Sequence, residues 1–512
     1  MHRKCNCFVA AVAALAVVYE TSGASPEVRT DHDRNATPIS PGLVRIGTLR
    51  PRSAKEVGPA NWTIDTGSVD RDFISFEKLR DYLPSLGVAK IRLLTGWAKS
   101  ERVPGHIDVA WLDEIVDWCK ARGIEPILEL SYGNPIYPGA GDAGLHGGIP
   151  NTPNGLAAWD RWVEFLAVHY RGRVGEWAMW NEPDINLDVN SPEAIAAFNV
   201  RSAKILRRHM PKCRIHALSL ANNSDKLLAE CVKPMGRDAD LFDTFVYHGY
   251  VVNPDSSYAM VEKLRKVLAE LAPHAVLRQG ENGCPSEWLD RFALQGRAWS
   301  EISQAKWDMR RMLGDLGHDV ESGLFSFVDI NYRPPTFPTF FCNRKGYLRT
   351  NESGDVVRVK RAYYAVQNAV SVFDASVRRV REGALSSCPD RTISFYEYRM
   401  RGGSPLFAFW DHGPTRIVSG DGTFGPAGEP EVVIDPDAAP GEGFETRGIA
   451  FSWKGDSLRD PVWVDLMTGW VFLLDEERQI VHSCGVDFVE IPVYDSPCLV
   501  TERKALDFVA VR

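Results

Sequence analysis

Eight short apolar runs, each followed by a stretch of helical spacing, organise this chain from about residue 43 to residue 373. The runs are 43–49, 90–94, 125–130, 176–180, 215–220, 244–247, 276–279 and 324–328. Between them lie segments such as Phe76-Glu77-Lys78-Leu79-Arg80-Asp81-Tyr82-Leu83 and Trp111-Leu112-Asp113-Glu114-Ile115-Val116, with apolar residues three and four apart, the spacing of one helix face. Strands that alternate with helices pair in parallel, because the helix carries the chain back across the sheet. An open dinucleotide-binding sheet carries a glycine-rich turn after its first strand. Here the first run leads instead into Arg50-Pro51-Arg52, and eight units are the number that closes a barrel. The expectation is a (β/α)8 barrel over 43–374.

After the helix-patterned Lys-Arg-Ala-Tyr-Tyr-Ala-Val-Gln-Asn-Ala-Val stretch at 360–370 the texture changes. Short β-prone runs at 393–398, 406–410, 462–466 and 488–492 alternate with Gly, Pro and Asp, which predicts a C-terminal antiparallel β-sandwich over 375–512. Residues 420–443, rich in Gly, Pro and acids, read as a long loop within it. At the other end, Arg3 and Lys4, an apolar run over 8–19 and Ser22-Gly23-Ala24 have the layout of a signal peptide over 1–24, followed by a linker over 25–42. A retained membrane anchor is the competing reading of the same segment. The mature protein is expected in a secreted or periplasmic location, away from the membrane.

A formal charge of −8, with no long basic run, argues against a nucleic-acid partner. No CxxC pair and no His/Cys cluster at zinc-finger spacing is present, so neither a metal nor a cofactor is expected. Of the 10 cysteines, Cys5 and Cys7 leave with the signal, and the spacing of the others identifies no disulfide partners.

Reactive groups of a parallel barrel sit where strands end. The fourth run ends in Trp180-Asn181-Glu182-Pro183 and the seventh in Gly280-Glu281-Asn282-Gly283. Two carboxylates at one barrel mouth suit cleavage of a glycosidic bond, one donating a proton to the leaving oxygen while the other attacks the anomeric carbon. Asn181-Glu182-Pro183 alone has a plainer reading as a helix-starting turn, since Asn caps helices and Pro begins them. Together the two glutamates must agree in register.

The Trp-Asn-Glu-Pro motif resembles the acid/base motif of clan A glycoside hydrolases, whose nucleophilic Glu closes strand seven. The resemblance implies that Glu182 is the acid/base and Glu281 the nucleophile. His248-Gly249-Tyr250 at the sixth run is similar to the clan's His-x-Tyr pair, whose Tyr steadies the nucleophile. Arg92 on the second run matches the Arg that keeps the nucleophile ionised. The last-helix sequence and trailing sandwich are nearest to family 39, with family 5 a neighbour. β-Xylosidase- or β-galactosidase-like hydrolysis with retention, acting on a carbohydrate substrate, is what this implies. Asn181 stands where its amide reaches the hydroxyl beside the reacting carbon. Trp97, Asn134 and Tyr332, with Tyr132 and Asn331, fall in loops at the same face and read as sugar contacts or as packing. Glu129 reads as a buried barrel charge. A non-catalytic carbohydrate-binding or scaffold protein derived from such an enzyme is the alternative.

Overall fold

Eight parallel strands close on themselves: Trp62–Asp65 (β2), Lys90–Leu94 (β3), Glu125–Glu129 (β4), Glu176–Ala178 (β5), Arg214–Leu220 (β6), Thr244–His248 (β7), Val276–Asn282 (β8) and Glu321–Leu324 (β9). Ile64 pairs with Ile91 on one side and with Leu324 on the other, which seals the barrel. The structure is a computed structural model. It describes residues 39–511 except 146, 335–336, 382, 419–430, 456–457 and 483–484. The expected signal segment, most of the linker and Cys484 lie outside the described residues.

Two strand assignments need correction. The run at 43–49 is not in the barrel: Val44–Leu49 (β1) pairs antiparallel with Trp470–Leu473 and with Phe508–Ala510 in the C-terminal sheet. The barrel begins instead at Trp62–Asp65, whose four residues are all buried, as a strand covered on both faces requires. Its last strand is Glu321–Leu324 rather than 324–328.

The helices take their ends from local chemistry. Pro153–His169 begins where the Thr152 hydroxyl accepts the Gly155 N–H, with Pro at the first position. Glu301–Gly317 has almost no exposed face, because it lies between the barrel and the sandwich. That explains its charges. Arg310 meets Asp255 at 2.6 Å and the His412 carbonyl at 3.0 Å, and Lys306 meets Asp495 at 2.5 Å.

The sandwich packs an eight-stranded sheet on a four-stranded one. Along Pro405–Asp411, Phe407 and Phe409 face the four-stranded sheet, whereas Leu406, Ala408 and Trp410 join the barrel core. The larger sheet is thus buried on both sides by the two-residue period of a strand. Trp453 and Trp463 are core residues there, whereas Trp470 is only partly buried. The loop expected at 420–443 is partly a hairpin, with Thr415–Val418 paired to Glu431–Ile434 and residues 419–430 outside the described ones. The described cysteines are free thiols.

Candidate active site

Arg92 anchors the floor of the barrel mouth. It is buried on β3, where the strand register sets it beside Asp65 of β2. Its Nε and Nη2 reach both oxygens of Glu129 at 2.9 and 2.8 Å, a bidentate pairing, and Nη1 donates to Glu281 Oε2 at 2.9 Å and to Asp65. Nη2 also donates to the Asn181 side-chain oxygen. The Asn181 amide donates in turn to the Tyr132 hydroxyl at 2.7 Å, while its backbone N–H donates to Ser131 Oγ at 2.7 Å.

Glu182 follows β5 on a left-handed backbone, φ 48° and ψ 52°. A non-glycine residue held there costs about 1 kcal/mol or more, which the rest of the loop must offset. The Glu182 N–H donates to the Ser219 carbonyl of β6 at 2.9 Å, and Pro183 then opens a short 3-10 turn. Across the mouth Glu281 lies within β8, between glycines that the packing demands. A Cβ at Gly283 would meet the Phe325 carbonyl oxygen at 1.7 Å, so only glycine lets β8 approach the loop after β9 this closely.

The Tyr250 hydroxyl donates to Glu281 Oε1 at 2.7 Å. His248 Nδ1 lies 2.8 Å from Glu182 Oε1 and 3.8 Å from Glu281 Oε2. One atom each of Glu182, His248 and Glu281 falls within 4.8 Å of the others. Such a triad has the spacing of a cation site. However, Arg92 already occupies Glu281 Oε2, and its guanidinium would repel a metal there.

The two glutamates titrate in opposite directions. Burial pushes Glu182 above its ordinary carboxyl range; the His248 hydrogen bond opposes this and the nearby Glu281 charge adds to it. Burial also works against the charge of Glu281, but the His248 and Arg92 charges and the Tyr250 and Arg92 hydrogen bonds outweigh it and hold that carboxyl low. For His248, burial opposes the charge and the two glutamates overcome it, so its value is raised. The site therefore biases Glu182 toward its protonated form and Glu281 toward its ionised form.

A solvent-open pocket enclosing about 110 Å³ joins these groups. Arg92, Asn181, Glu182, Glu281 and Tyr332 line it, and Tyr250 and His248 support it from behind the glutamates. Trp97 and Asn134 do not belong to it. Trp97 is fully buried, stacked on Tyr137 and Trp162 with its indole N–H on Glu101, and the Asn134 amide donates to the Glu101 carbonyl at 2.7 Å. Both fix the loop after β3 and the helix Trp97–Ser100. Asn331 likewise ties its amide to the Asn351 carbonyl. The pocket adds residues the motifs do not reveal: Asp65 at the end of β2, Arg71 and Phe73 just beyond it, and Phe292 and Phe337.

No protein-family model matches the sequence, and no curated protein matches it. Solved structures do match the fold. A family 39 glycoside hydrolase from the gut symbiont Bacteroides cellulosilyticus WH2 aligns at a TM-score of 0.60 and 16% identity, over 89% of this chain and 83% of that one. A family 39 β-xylosidase from Caulobacter crescentus gives 0.52 and 16%, over 90% and 98%. A family 30 subfamily 8 xylanase from Clostridium acetobutylicum gives 0.50 and 10%, over 90% and 97%. The closed parallel barrel with its attached sandwich is therefore the fold found in clan A glycoside hydrolases of families 39 and 30.

Proposed function

We propose that this chain is a retaining glycoside hydrolase acting on O-glycosidic bonds, of β-xylosidase- or β-galactosidase-like specificity, by a two-glutamate double displacement. The observation that carries this reading is the approach of a Glu182 oxygen to within 4.8 Å of a Glu281 oxygen. Retaining enzymes hold their carboxyl groups about 5–5.5 Å apart, whereas inverting ones leave about 6.5–9.5 Å for a water between them.

In the first step Glu281 attacks the anomeric carbon, forming a glycosyl ester, while Glu182 gives its proton to the departing oxygen. Esterification removes the Glu281 charge. Glu182, no longer beside an anion, then accepts a proton from water, which attacks the same carbon and releases Glu281. Arg92 and Tyr250 hold Glu281 ionised before attack and receive it again afterwards. The Arg92 bond on the Asn181 oxygen turns the amide nitrogen toward Tyr132 and fixes its place in the pocket wall.

A panel of aryl glycosides, with NMR of the first-formed sugar, tests the proposal. Turnover of the β-xyloside or β-galactoside with the β-anomer released first is expected. An α-anomer released first would exclude double displacement, and no turnover across the panel would favour the non-catalytic carbohydrate-binding alternative.

A further inference from the structure

Most buried lysines of this molecule sit on a carboxylate: Lys90 on Glu176 at 2.7 Å, Lys306 on Asp495 at 2.5 Å and Lys360 on Asp329 at 2.6 Å. Lys345 differs. It is 1% exposed, yet among the described residues its ammonium has neither a hydrogen-bond acceptor nor an ion-pair partner. What it faces is the ring of Tyr250, with Nζ 5.6 Å from the centroid, inside the range of a cation–π contact. Beyond that ring, the Tyr250 hydroxyl donates to Glu281 Oε1 at 2.7 Å.

The position is enforced from the backbone. The Lys345 carbonyl accepts from the Gln304 amide at 2.9 Å, and the Gly346 N–H donates to Asp329 Oδ1 at 3.1 Å. A Cβ at Gly346 would lie 2.0 Å from the Asp329 nitrogen, so the segment has no slack. An unpaired buried ammonium destabilises a fold. Burial pushes Lys345 down to about 8, against the attraction of the Glu281 charge. A cost retained at a rigid position next to a reactive group points to a use there.

Building on the assignment of Glu281 as nucleophile, we infer that Lys345 is a positioning residue for it. Its ammonium holds the Tyr250 ring so that the phenol addresses Glu281, and it adds a further positive charge, beside those of His248 and Arg92, that keeps Glu281 ionised. The other groups facing Glu281 are Asp65, His248, Glu182 and Tyr332, and Lys345 itself faces Tyr250 and the Cys284 thiol. Both of its titratable neighbours besides Glu281 stay protonated, since burial raises Tyr250 and Cys284 well above their ordinary values.

The test compares Lys345→Met, Lys345→Gln and Lys345→Arg in the full chain, reading kcat/KM against pH and the melting temperature. Without the ammonium the Glu281 carboxyl rises, so the acid limb should move up by about one pH unit in Met and Gln, roughly a tenfold loss below the limb. Arg should return the limb toward the parent position. Tm should rise in Met, because a desolvated charge is gone. A limb unmoved in both neutral variants would overturn the inference, as would a limb displaced equally in Arg, which would indicate packing alone. Should Glu281→Ala keep full activity, the nucleophile assignment itself falls; if that variant is dead and the limb stays put, only the role of Lys345 is lost.

Discussion

Asp65, Glu129 and Glu281 gather around the single guanidinium of Arg92, while Glu182 stands outside its reach and meets His248 instead. Charge distribution, not side-chain identity, thus separates the two catalytic candidates. Replacing Glu281 by Ala removes the attacking atom, and a loss of several orders of magnitude is expected on every substrate. Replacing Glu182 by Ala should cost far less with a dinitrophenyl leaving group, which departs without protonation, and the glycosyl-enzyme should then accumulate. Added azide should restore turnover and yield a glycosyl azide of the substrate's own anomeric form, whereas Glu281→Ala with azide can only invert. Inverted azide product from Glu182→Ala, seen by NMR, would contradict the assignment. Both glutamates, Asn181, His248 and Tyr250 are legible in the sequence because each sits in or beside a strand-end motif, whereas Arg92, in the middle of its strand, is legible only through the resemblance. Asp65 is not, because the strand that carries it is only four residues long and follows Gly58-Pro59, which reads as loop. Of the two readings open for Trp97 and Asn134, the packing one describes where their side chains lie, since proximity to the mouth in sequence says nothing of which way a side chain turns.

At the scale of elements, β1 is the instructive error. An apolar run ahead of seven barrel strands completes a count of eight, and periodicity cannot tell whether its partners are near or far in the chain. Its exposure differs from that of a barrel strand, since Val44 is 70% exposed while the end toward Leu49 is buried. The pairing predicts how the sandwich behaves alone. A fragment of 375–512 lacks β1, the recorded neighbour of Phe508–Ala510 in the large sheet. It also exposes the face formed by Leu406, Ala408 and Trp410. Expressed by itself it should aggregate or unfold without a cooperative transition, and should not retain insoluble xylan or cellulose, because Trp453 and Trp463 are inside. A sharp, reversible melt from that fragment, or clear pull-down on either polysaccharide, would refute this.

For the molecule as a whole, the fold class was legible because strand–helix alternation is a long-range pattern repeated eight times, and local errors do not erase it. The particular contacts that join barrel to sandwich were not. They include the Arg310 guanidinium on the His412 carbonyl at 3.0 Å and the Trp410 indole N–H on Asp255 at 2.8 Å, pairs far apart in sequence that no local pattern reveals. No helix among the described residues is long and apolar enough to cross a membrane. On the apolar segment at 8–19 and the Ser-Gly-Ala that follows, we propose export with cleavage near Ser25. Mass spectrometry of the exported protein should find that start, and a mature species retaining Met1 to Ala24 would refute it.

The place of β1 also has a consequence for how the protein is made. Gly47 emerges from the ribosome early, yet its partner Ala510 follows about 460 residues later. At roughly 5–20 residues per second the wait is about 25 to 90 seconds. The barrel needs nothing beyond Leu324 to close its ring of strands, so it is free to do so in that interval. From closure of the ring until Trp470–Leu473 is made, about 150 residues later, a six-residue strand is tethered to that ring with its hydrogen-bonding edges bare. The earliest-made strand is among the last to be paired, and this nascent chain is most open to a wrong partner while its barrel is already complete.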